Sequence, residues 1–250
     1  MANLDDHLLA AELAQAAGEL LLQVRSDLQQ QQATQSEIKD QGDQRAHEFL
    51  MKQLSSRMPA DSVLSEESSE ADRLDPARLT ADRVWVIDPL DGTREFGEGR
   101  SDWAVHVALV EGGVPTAGAV SLPGLGIVFS TGNPPELPAP GNPLRVIVSR
   151  SRPPAEALEI AQALNADLVE MGSAGAKAMA ILRGEADIYP HSGGQFEWDS
   201  CAPVAVATAA GLSCTRLDGS PLFYNCADPY LPDLLICRPA NTEQVLAVVN

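Results

Sequence analysis

The chain has 250 residues, of which 44% are hydrophobic and 4% aromatic, so it can form one large domain or two small ones around a mainly aliphatic core. Its 17 basic and 35 acidic residues give a formal charge of −18, which argues against a nucleic acid polymer as partner. The charge does not exclude an anionic small molecule, which a metal ion or a few Lys and Arg side chains could bind. No apolar run reaches the roughly 18 residues of a membrane-spanning helix, and the N-terminus does not read as a signal peptide, so we expect a cytoplasmic protein without membrane contact.

Two helices are predicted at the start of the chain. Residues 3–29 form a long amphipathic pattern in which Asn3 is a suitable N-cap. Residues 43–58 predict a second helix, with Asp43 at its start. The apolar stripe of the first helix comprises Leu9, Leu13, Ala16, Leu20 and Val24.

Strands follow the two helices. "SVLSEES" predicts a short strand that runs into an acidic, polar loop over residues 66–82, which we expect to be mobile. "RVWVID" predicts a buried strand that ends at Asp88. Three further strands are expected to be antiparallel neighbours because Gly-containing connections separate them: "WAVHVALVE", "VPTAGAVSLP" and "GIVFST".

The pattern changes after residues 132–143, a segment with five prolines that predicts an inter-domain linker. Strands and helices alternate beyond it, which is typical of an α/β layer. We therefore predict an α+β unit over residues 1–140 that binds metal and phosphate, and an α/β unit over residues 141–250 that completes the substrate site.

"VWVIDPLDGTREF" places two aspartates, Asp88 and Asp91, at the end of the buried strand. Taken alone, the stretch is more typical of a strand that ends in a turn, because Pro and Asp-Gly are common turn residues. Acidic residues elsewhere in the chain favour a metal site instead. Each also has an ordinary structural explanation, as part of a solvated loop or as a helix N-cap.

The acidic residues that favour a metal site are Glu67 in "LSEES", Asp199 in "EWDSCAPVAVATAAG", and Asp43. Glu66 is interpreted as a solvated loop residue. If the strand ends converge, Glu67 and Asp199 join the two aspartates as oxygen ligands for Mg²⁺. Two such ions could clamp the attacking and leaving oxygens of a phosphoryl transfer.

The residues around the second aspartate supply further groups. The Leu90 carbonyl could bind one ion, and the Gly92 and Thr93 amides could bind phosphate. The Thr93 hydroxyl could position a water, oriented by Asp43. The histidines, His106 among them, are interpreted as solvated or satisfied groups without an assigned role. The four widely spaced cysteines predict free thiols.

"LSEES", "WVIDPLDGTREF" and "EWDSCAP", in this order, resemble the inositol monophosphatase superfamily, and the chain looks most like its CysQ-type 3'(2'),5'-bisphosphate nucleotidases. The resemblance implies a layered αβαβα fold and two or three Mg²⁺ ions, with lithium sensitivity. Glu67, Asp88 and the Leu90 carbonyl would hold one ion, and Asp88, Asp91 and Asp199 another.

The resemblance also implies roles in the reaction. Thr93 and Asp43 would activate the water, with Glu67 contacting it, and Gly92 and Thr93 would bind the scissile phosphate. Lys177 would contact a second phosphate, the alternative being a solvated helix lysine, and Arg152 could bind a phosphate. "KDQGDQRA" lacks the hydroxyl residues usual before this Asp, and Arg152 stands where the nucleotidases often have His.

The function implied is removal of the 3'-phosphate from 3'-phosphoadenosine 5'-phosphate and its 5'-phosphosulfate relative, in sulfate assimilation. Inositol-1-monophosphatase or fructose-1,6-bisphosphatase activity is the alternative within the same chemistry. A catalytically silent regulatory protein that binds sugar phosphates is the alternative of another class. Homodimers are common in this superfamily, so a homodimer is an allowed assembly.

Overall fold

Two five-stranded sheets form the framework of the computed structural model, which describes residues 2–250. The first sheet has the order β1-β2-β3-β4-β5. Strand β1 runs parallel to β2, and the remaining neighbours are antiparallel, as predicted for the three strands after β2. The strands are β1 Ser62–Ser65, β2 Arg83–Asp91, β3 Ala104–Glu111, β4 Val114–Leu122 and β5 Ile127–Ser130.

The second sheet has the order β7-β6-β8-β10-β9. Strand β6 is parallel to β7 and β8, and β10 is antiparallel to β8 and β9. The Pro-rich segment 132–143 lies between the two sheets in the sequence and is free of helix and strand, as predicted. The strands are β6 Arg145–Ser149, β7 Asp167–Met171, β8 Ile188–Phe196, β9 Ser213–Thr215 and β10 Tyr230–Cys237. The sequence did not predict β9.

Nine α-helices surround and separate the sheets within residues 2–250, and none of them combines the length and apolar character needed to cross a bilayer. Asn3 caps α1, as predicted. The four cysteines are free thiols. The helices are α1 Leu4–Gln30, α2 Gln35–Arg57, α3 Glu70–Arg73, α4 Pro76–Thr80, α5 Thr93–Gly97, α6 Ala155–Ala163, α7 Ala174–Leu182, α8 Glu197–Ala209 and α9 Pro239–Val249, the last of which was not predicted.

The start of α2 differs from the prediction. Thr34 caps this helix in a reciprocal capping box with Glu37, so the helix begins at Gln35 rather than at residue 43. Asp43 consequently lies inside the helix, and its interpretation as an N-cap is wrong. The polar first half of α2 shows little helical periodicity, which is why the sequence pattern missed it.

The helices and sheets stack in five layers. Helices α1 and α2 cover one face of the first sheet, around Trp85, Ile87 and Phe96. Helices α7 and α8 fill the space between the two sheets, and α6 and α9 cover the outer face of the second. The predicted αβαβα architecture is confirmed. Its central core contains residues of both sheets, such as Val86 and Tyr189.

The segment over residues 66–82 is not the irregular, mobile loop expected from its composition, since it contains α3 and α4. The Arg78 side chain is only 2% exposed. Its guanidinium donates hydrogen bonds to Asn225 Oδ1 at 2.6 Å and to the Cys226 carbonyl at 3.1 Å. Arg78 therefore anchors this segment to the chain that follows α8.

Candidate active site

A β-bulge in β2 turns Asp88 and Asp91 toward the same face of the first sheet. Asp88 lies opposite His106 of β3 and Asp91 lies opposite Ala104, so three steps along β2 match two along β3. In a regular strand, residues three apart point to opposite faces, and the extra residue corrects this. The strand thus continues through the predicted turn and delivers both carboxylates to the α7 and α8 side.

Helix α8 adds a third carboxylate. One oxygen each of Asp88, Asp91 and Asp199 lie within 4.8 Å of one another. Asp199 is the third residue of α8 rather than its N-cap, which is Phe196. Its Oδ2 still satisfies the start of the helix, because it accepts a hydrogen bond from the Phe196 N–H at 2.6 Å. The prediction that distant motifs bring these three side chains together is confirmed.

Glu66, not Glu67, extends this cluster. The Glu66 N–H donates to the Ile87 carbonyl at 3.3 Å, so the parallel ladder continues one residue beyond β1. Glu66 therefore shares the face of Leu64, and its carboxyl lies within hydrogen-bonding reach of Asp88. Glu67 is exposed and lines a separate surface cavity with His47. The interpretation of Glu66 as a solvated residue is wrong.

The cluster holds more negative charge than the protein neutralises. Burial raises the pKa of Asp88 well above its ordinary value, and the carboxylates of Glu66, Asp91 and Asp199 raise it further. Burial and the Asp91 charge raise the pKa of Asp199 to about 7. Burial also acts to raise the pKa of Asp91, but the nearby His106 ring, 3.2 Å away, the Lys177 charge and the Ser173 hydrogen bond together outweigh it and leave the value at about 2.

The first turn of α7 binds the Asp91 carboxylate. Ser173 Oγ donates to Oδ2 at 2.5 Å, the Gly175 N–H donates to the same oxygen at 2.6 Å, and the Ala174 N–H donates to Oδ1 at 3.1 Å. The sequence did not indicate the roles of Ser173 and His106 in this cluster. The only available signal was a histidine within an otherwise apolar strand.

The predicted pair Thr93 and Asp43 meets beside the cluster. Thr93 Oγ1 lies 3.1 Å from the Leu90 carbonyl and 3.4 Å from Asp43 Oδ1, and can donate to either. Burial and the charges of Glu67 and Glu66 raise the pKa of Asp43 to about 8. The close approach of α2 needs a glycine beside Asp43, because a Cβ on Gly42 would lie 2.7 Å from the Phe96 ring.

Lys177 and Arg152 lie near a second polar group. Lys177 is 5% exposed, and its Nζ donates to the Ser173 carbonyl at 2.6 Å and the Gly172 carbonyl at 3.2 Å, so the alternative of a solvated lysine is wrong. Arg152 is exposed. Burial, followed by the charges of Lys177 and Arg152, lowers the pKa of His191 to about 4.

The carboxylate cluster fits a divalent cation. Asp88 Oδ2 is buried and receives no hydrogen bond from any group in residues 2–250. Three further carboxylates surround Asp88, and His106 Nδ1, 3.9 Å from Oδ2, is too distant to donate to it. A buried acceptor of this kind is costly unless something positive reaches it. Carboxylate and carbonyl oxygens are the ligands that hard divalent cations prefer.

Comparisons with known proteins agree with this geometry. Residues 4–250 match the model of the inositol monophosphatase family. A Mycobacterium leprae protein named 3'-phosphoadenosine 5'-phosphate phosphatase is 47% identical over 100% of this chain and 95% of its own. The 3'(2'),5'-bisphosphate nucleotidase CysQ of Escherichia coli is 30% identical over 74% of this chain and 79% of its own. The structure of CysQ from Bacteroides thetaiotaomicron superposes with a TM-score of 0.78 at 26% identity, covering 94% of this chain and 97% of that one.

Proposed function

Since this chain belongs to the inositol monophosphatase family, we propose that it is a phosphomonoesterase that removes the 3'-phosphate from 3'-phosphoadenosine 5'-phosphate. The same activity on the 5'-phosphosulfate relative would give adenosine 5'-phosphosulfate. The observation that carries the proposal is the buried carboxylate cluster beside Thr93 and Asp43. The identity of 47% over the whole chain to a protein named for this activity supports the choice of substrate.

The cation that fits the cluster is proposed to be Mg²⁺, in two or three copies. Asp88, Asp91 and Asp199 would hold it together with the Leu90 carbonyl, and Glu66 replaces Glu67 as the fourth carboxylate. A bound divalent cation supplies neutralisation of phosphate charge and a lowered pKa of water. Asp88 is proposed to serve more than one ion, because its buried Oδ2 receives no hydrogen bond within residues 2–250 and the carboxylates of Glu66, Asp91 and Asp199 all act on it.

Thr93 and Asp43 are proposed to orient the attacking water. When the Thr93 hydroxyl donates to Asp43, its lone pairs are left to accept a hydrogen bond from a water. The pKa of Asp43, raised to about 8, brings proton exchange at this carboxyl close to neutral pH. The backbone amides of Gly92 and Thr93 are proposed to bind the scissile phosphate. Gly92 supports this by its left-handed φ of +89°, which lets the chain enter α5 beside Asp91.

Lys177 and Arg152 are proposed to bind the second phosphate of the nucleotide. The positive charges of both residues contribute to lowering the pKa of His191, which supports a shared anion-binding role. An anionic group is the natural counterpart of such a pair.

Phosphate release from three substrates tests the proposed function. We expect the highest kcat/KM for 3'-phosphoadenosine 5'-phosphate, below it inositol 1-phosphate and fructose 1,6-bisphosphate, with loss of activity in a chelator and recovery in Mg²⁺. The assignment is wrong if the nucleotide has the lowest kcat/KM. Turnover of none of the three in Mg²⁺ would instead favour the silent regulatory alternative.

A further inference from the structure

We propose that Phe196 and Tyr230 form a stacking platform for the nucleobase of the substrate. This inference rests on the proposed function, because it assigns a place to the base of the nucleotide. Three aromatic side chains in residues 2–250 are more than a third exposed, and these two contact each other, while Phe223 lies elsewhere. Exposed hydrophobic side chains that are scattered singly need no explanation, whereas two exposed aromatic rings in contact are a candidate binding surface.

The two rings of the platform pack on each other, and Phe196 also packs on a buried residue. Phe196 and Tyr230 are cross-strand neighbours of β8 and β10, with ring centroids 5.9 Å apart and planes at 80°. The Phe196 ring stacks on Trp198 at 4.9 Å with an interplanar angle of 11°, and Trp198 itself is buried. The Arg73 guanidinium also lies over the Trp198 ring, 4.8 Å from its centroid. Phe196 stays 38% exposed in this arrangement, and Tyr230 44%.

The platform adjoins the carboxylate cluster directly. The Phe196 backbone N–H donates to Asp199 Oδ2 at 2.6 Å, so the exposed ring belongs to a residue in contact with one of the three clustered carboxylates. We infer that a ligand whose phosphate is bound at the cluster extends its sugar and base toward this ring, because the residue that carries the ring is bonded to Asp199. Inorganic phosphate alone would gain nothing from the platform.

The chemistry favours a planar base as the occupant. Stacking of a nucleobase on an aromatic side chain stabilises binding whichever base it is, because every base presents a π-face. Because the Phe196 ring is already stacked in parallel on Trp198, a base stacked on Phe196 would extend this stack by one ring. The perpendicular Tyr230 ring offers an edge against which a base can pack.

Kinetic comparison of aromatic variants tests the platform. We expect Phe196→Ala to raise KM for 3'-phosphoadenosine 5'-phosphate about tenfold, the effect typical of a lost base–aromatic stack, and Tyr230→Ala to raise it less. The inhibition constant of inorganic phosphate, which carries no base, should not change in either variant. Phe196→Trp should keep the wild-type KM. Phe223→Ala is the matched control, because it removes a phenylalanine elsewhere on the surface that is also exposed, 57% against 38% for Phe196.

Two results would overturn the platform while the proposed function stands. One is an unchanged nucleotide KM in Phe196→Ala. The other is an equal rise of the nucleotide KM and the phosphate inhibition constant, which would show a general disturbance at Asp199. A wild-type protein that hydrolyses inositol 1-phosphate but not the nucleotide would refute the proposed function itself, and the platform with it.

Discussion

His106 Nε2 lies 3.2 Å from Asp91 Oδ2, and both side chains are buried between the first sheet and the helices that cover it. The other ring nitrogen, Nδ1, lies 3.0 Å from the Trp198 carbonyl in α8. Burial acts to lower the pKa of His106, but Asp91 outweighs it and raises the value. The contact with His106 therefore contributes to the lowered pKa of Asp91, together with Lys177 and Ser173, and the imidazole ties β3 to the start of α8.

Gly175→Ala tests this contact without removing a functional group. A Cβ at this position would lie 2.1 Å from His106 Nε2, so either the imidazole or the first turn of α7 must shift. Because the Gly175 N–H also binds Asp91, we expect kcat to fall by about 100-fold, the cost of an ångström-scale misplacement. The Mg²⁺ concentration for half-maximal activity should rise. An unchanged Mg²⁺ titration would show that the position of His106 does not govern Asp91.

Asp88→Asn should abolish Mg²⁺-dependent turnover while making the metal-free protein more stable. Folding raises the pKa of Asp88, so ionisation of this side chain at neutral pH opposes the native state. The amide removes that cost, and we expect a gain in unfolding free energy of about 1 kcal/mol or more at pH 8 and a smaller gain at pH 5. Denaturant titrations at the two pH values measure it.

The exposed Asp82→Asn is the matched control for this variant and should change neither property. Mg²⁺ should stabilise the wild-type protein through binding to the native state and should stabilise Asp88→Asn less. Full activity in Asp88→Asn would refute the proposed metal site.

Thr93→Ala should lower kcat by about 100-fold, the lower end of what a positioned proton-transfer group contributes. The hydroxyl contacts Asp43 and the Leu90 carbonyl but is not one of the clustered carboxylates, so the Mg²⁺ requirement should stay near the wild-type value. Thr93→Ser keeps the hydroxyl and should retain most of the activity. A variant that loses Mg²⁺ affinity but keeps kcat at saturating Mg²⁺ would contradict the water-positioning role.

The sequence was sufficient to predict the parts of the site that follow from local pattern. A buried strand ending in two aspartates, a helix that begins around Asp199 and an alternation of strands with helices all have short-range signals. The layered fold followed from the same elements and from the resemblance of three motifs. These predictions needed no knowledge of which strand residue faces which neighbour.

The misassigned and missed residues depend on register, which the sequence does not contain. Glu66 and Glu67 differ by one position, and only the extra ladder bond to Ile87 decides which of them faces Asp88. His106 acquires its role because it lies opposite Asp88 across the β2–β3 pair. We predicted a helix start at Asp43 because the polar residues before it show little helical periodicity, although they form a further two turns of α2.

Lys177→Met should reduce kcat/KM more for the bisphosphate nucleotide than for inositol 1-phosphate. The substitution removes a buried cation that acts beside His191 while roughly keeping its volume. We expect about a tenfold loss with the nucleotide, the scale of one charge-assisted contact to phosphate. Equal losses with both substrates would assign Lys177 only to the support of α7, through its bonds to Gly172 and Ser173.

The buried Asp187 should make stability depend on acid pH, independently of the active site. It accepts hydrogen bonds from the Gly141 N–H at 2.9 Å and from the Arg145 N–H and Nε at 2.9 and 3.0 Å, and so ties the end of the Pro-rich segment to β6. Burial acts to raise the pKa of Asp187, but these bonds outweigh it and lower the pKa below 3.8. A lowered folded-state pKa gives stability that is fully present above the unfolded value and is lost as the pH falls through the folded one.

Asp187→Asn should therefore cost about 3 kcal/mol of unfolding free energy at pH 7, because it leaves the buried face of Arg145 without its counter-charge. The difference between wild type and variant should begin to shrink below about pH 4, where the Asp187 carboxyl of the unfolded wild-type chain becomes protonated, and should keep falling until the pH passes the lower folded-state pKa. Glu185→Gln, which breaks the more exposed pair with Arg183, is the matched control and should cost less than about 1 kcal/mol. Urea titrations at pH 7, 5 and 3.5, values chosen to bracket the ordinary pKa of Asp of about 3.9, measure both variants. A difference that stayed constant across this range would mean that Asp187 acts through its shape and hydrogen bonds rather than its charge.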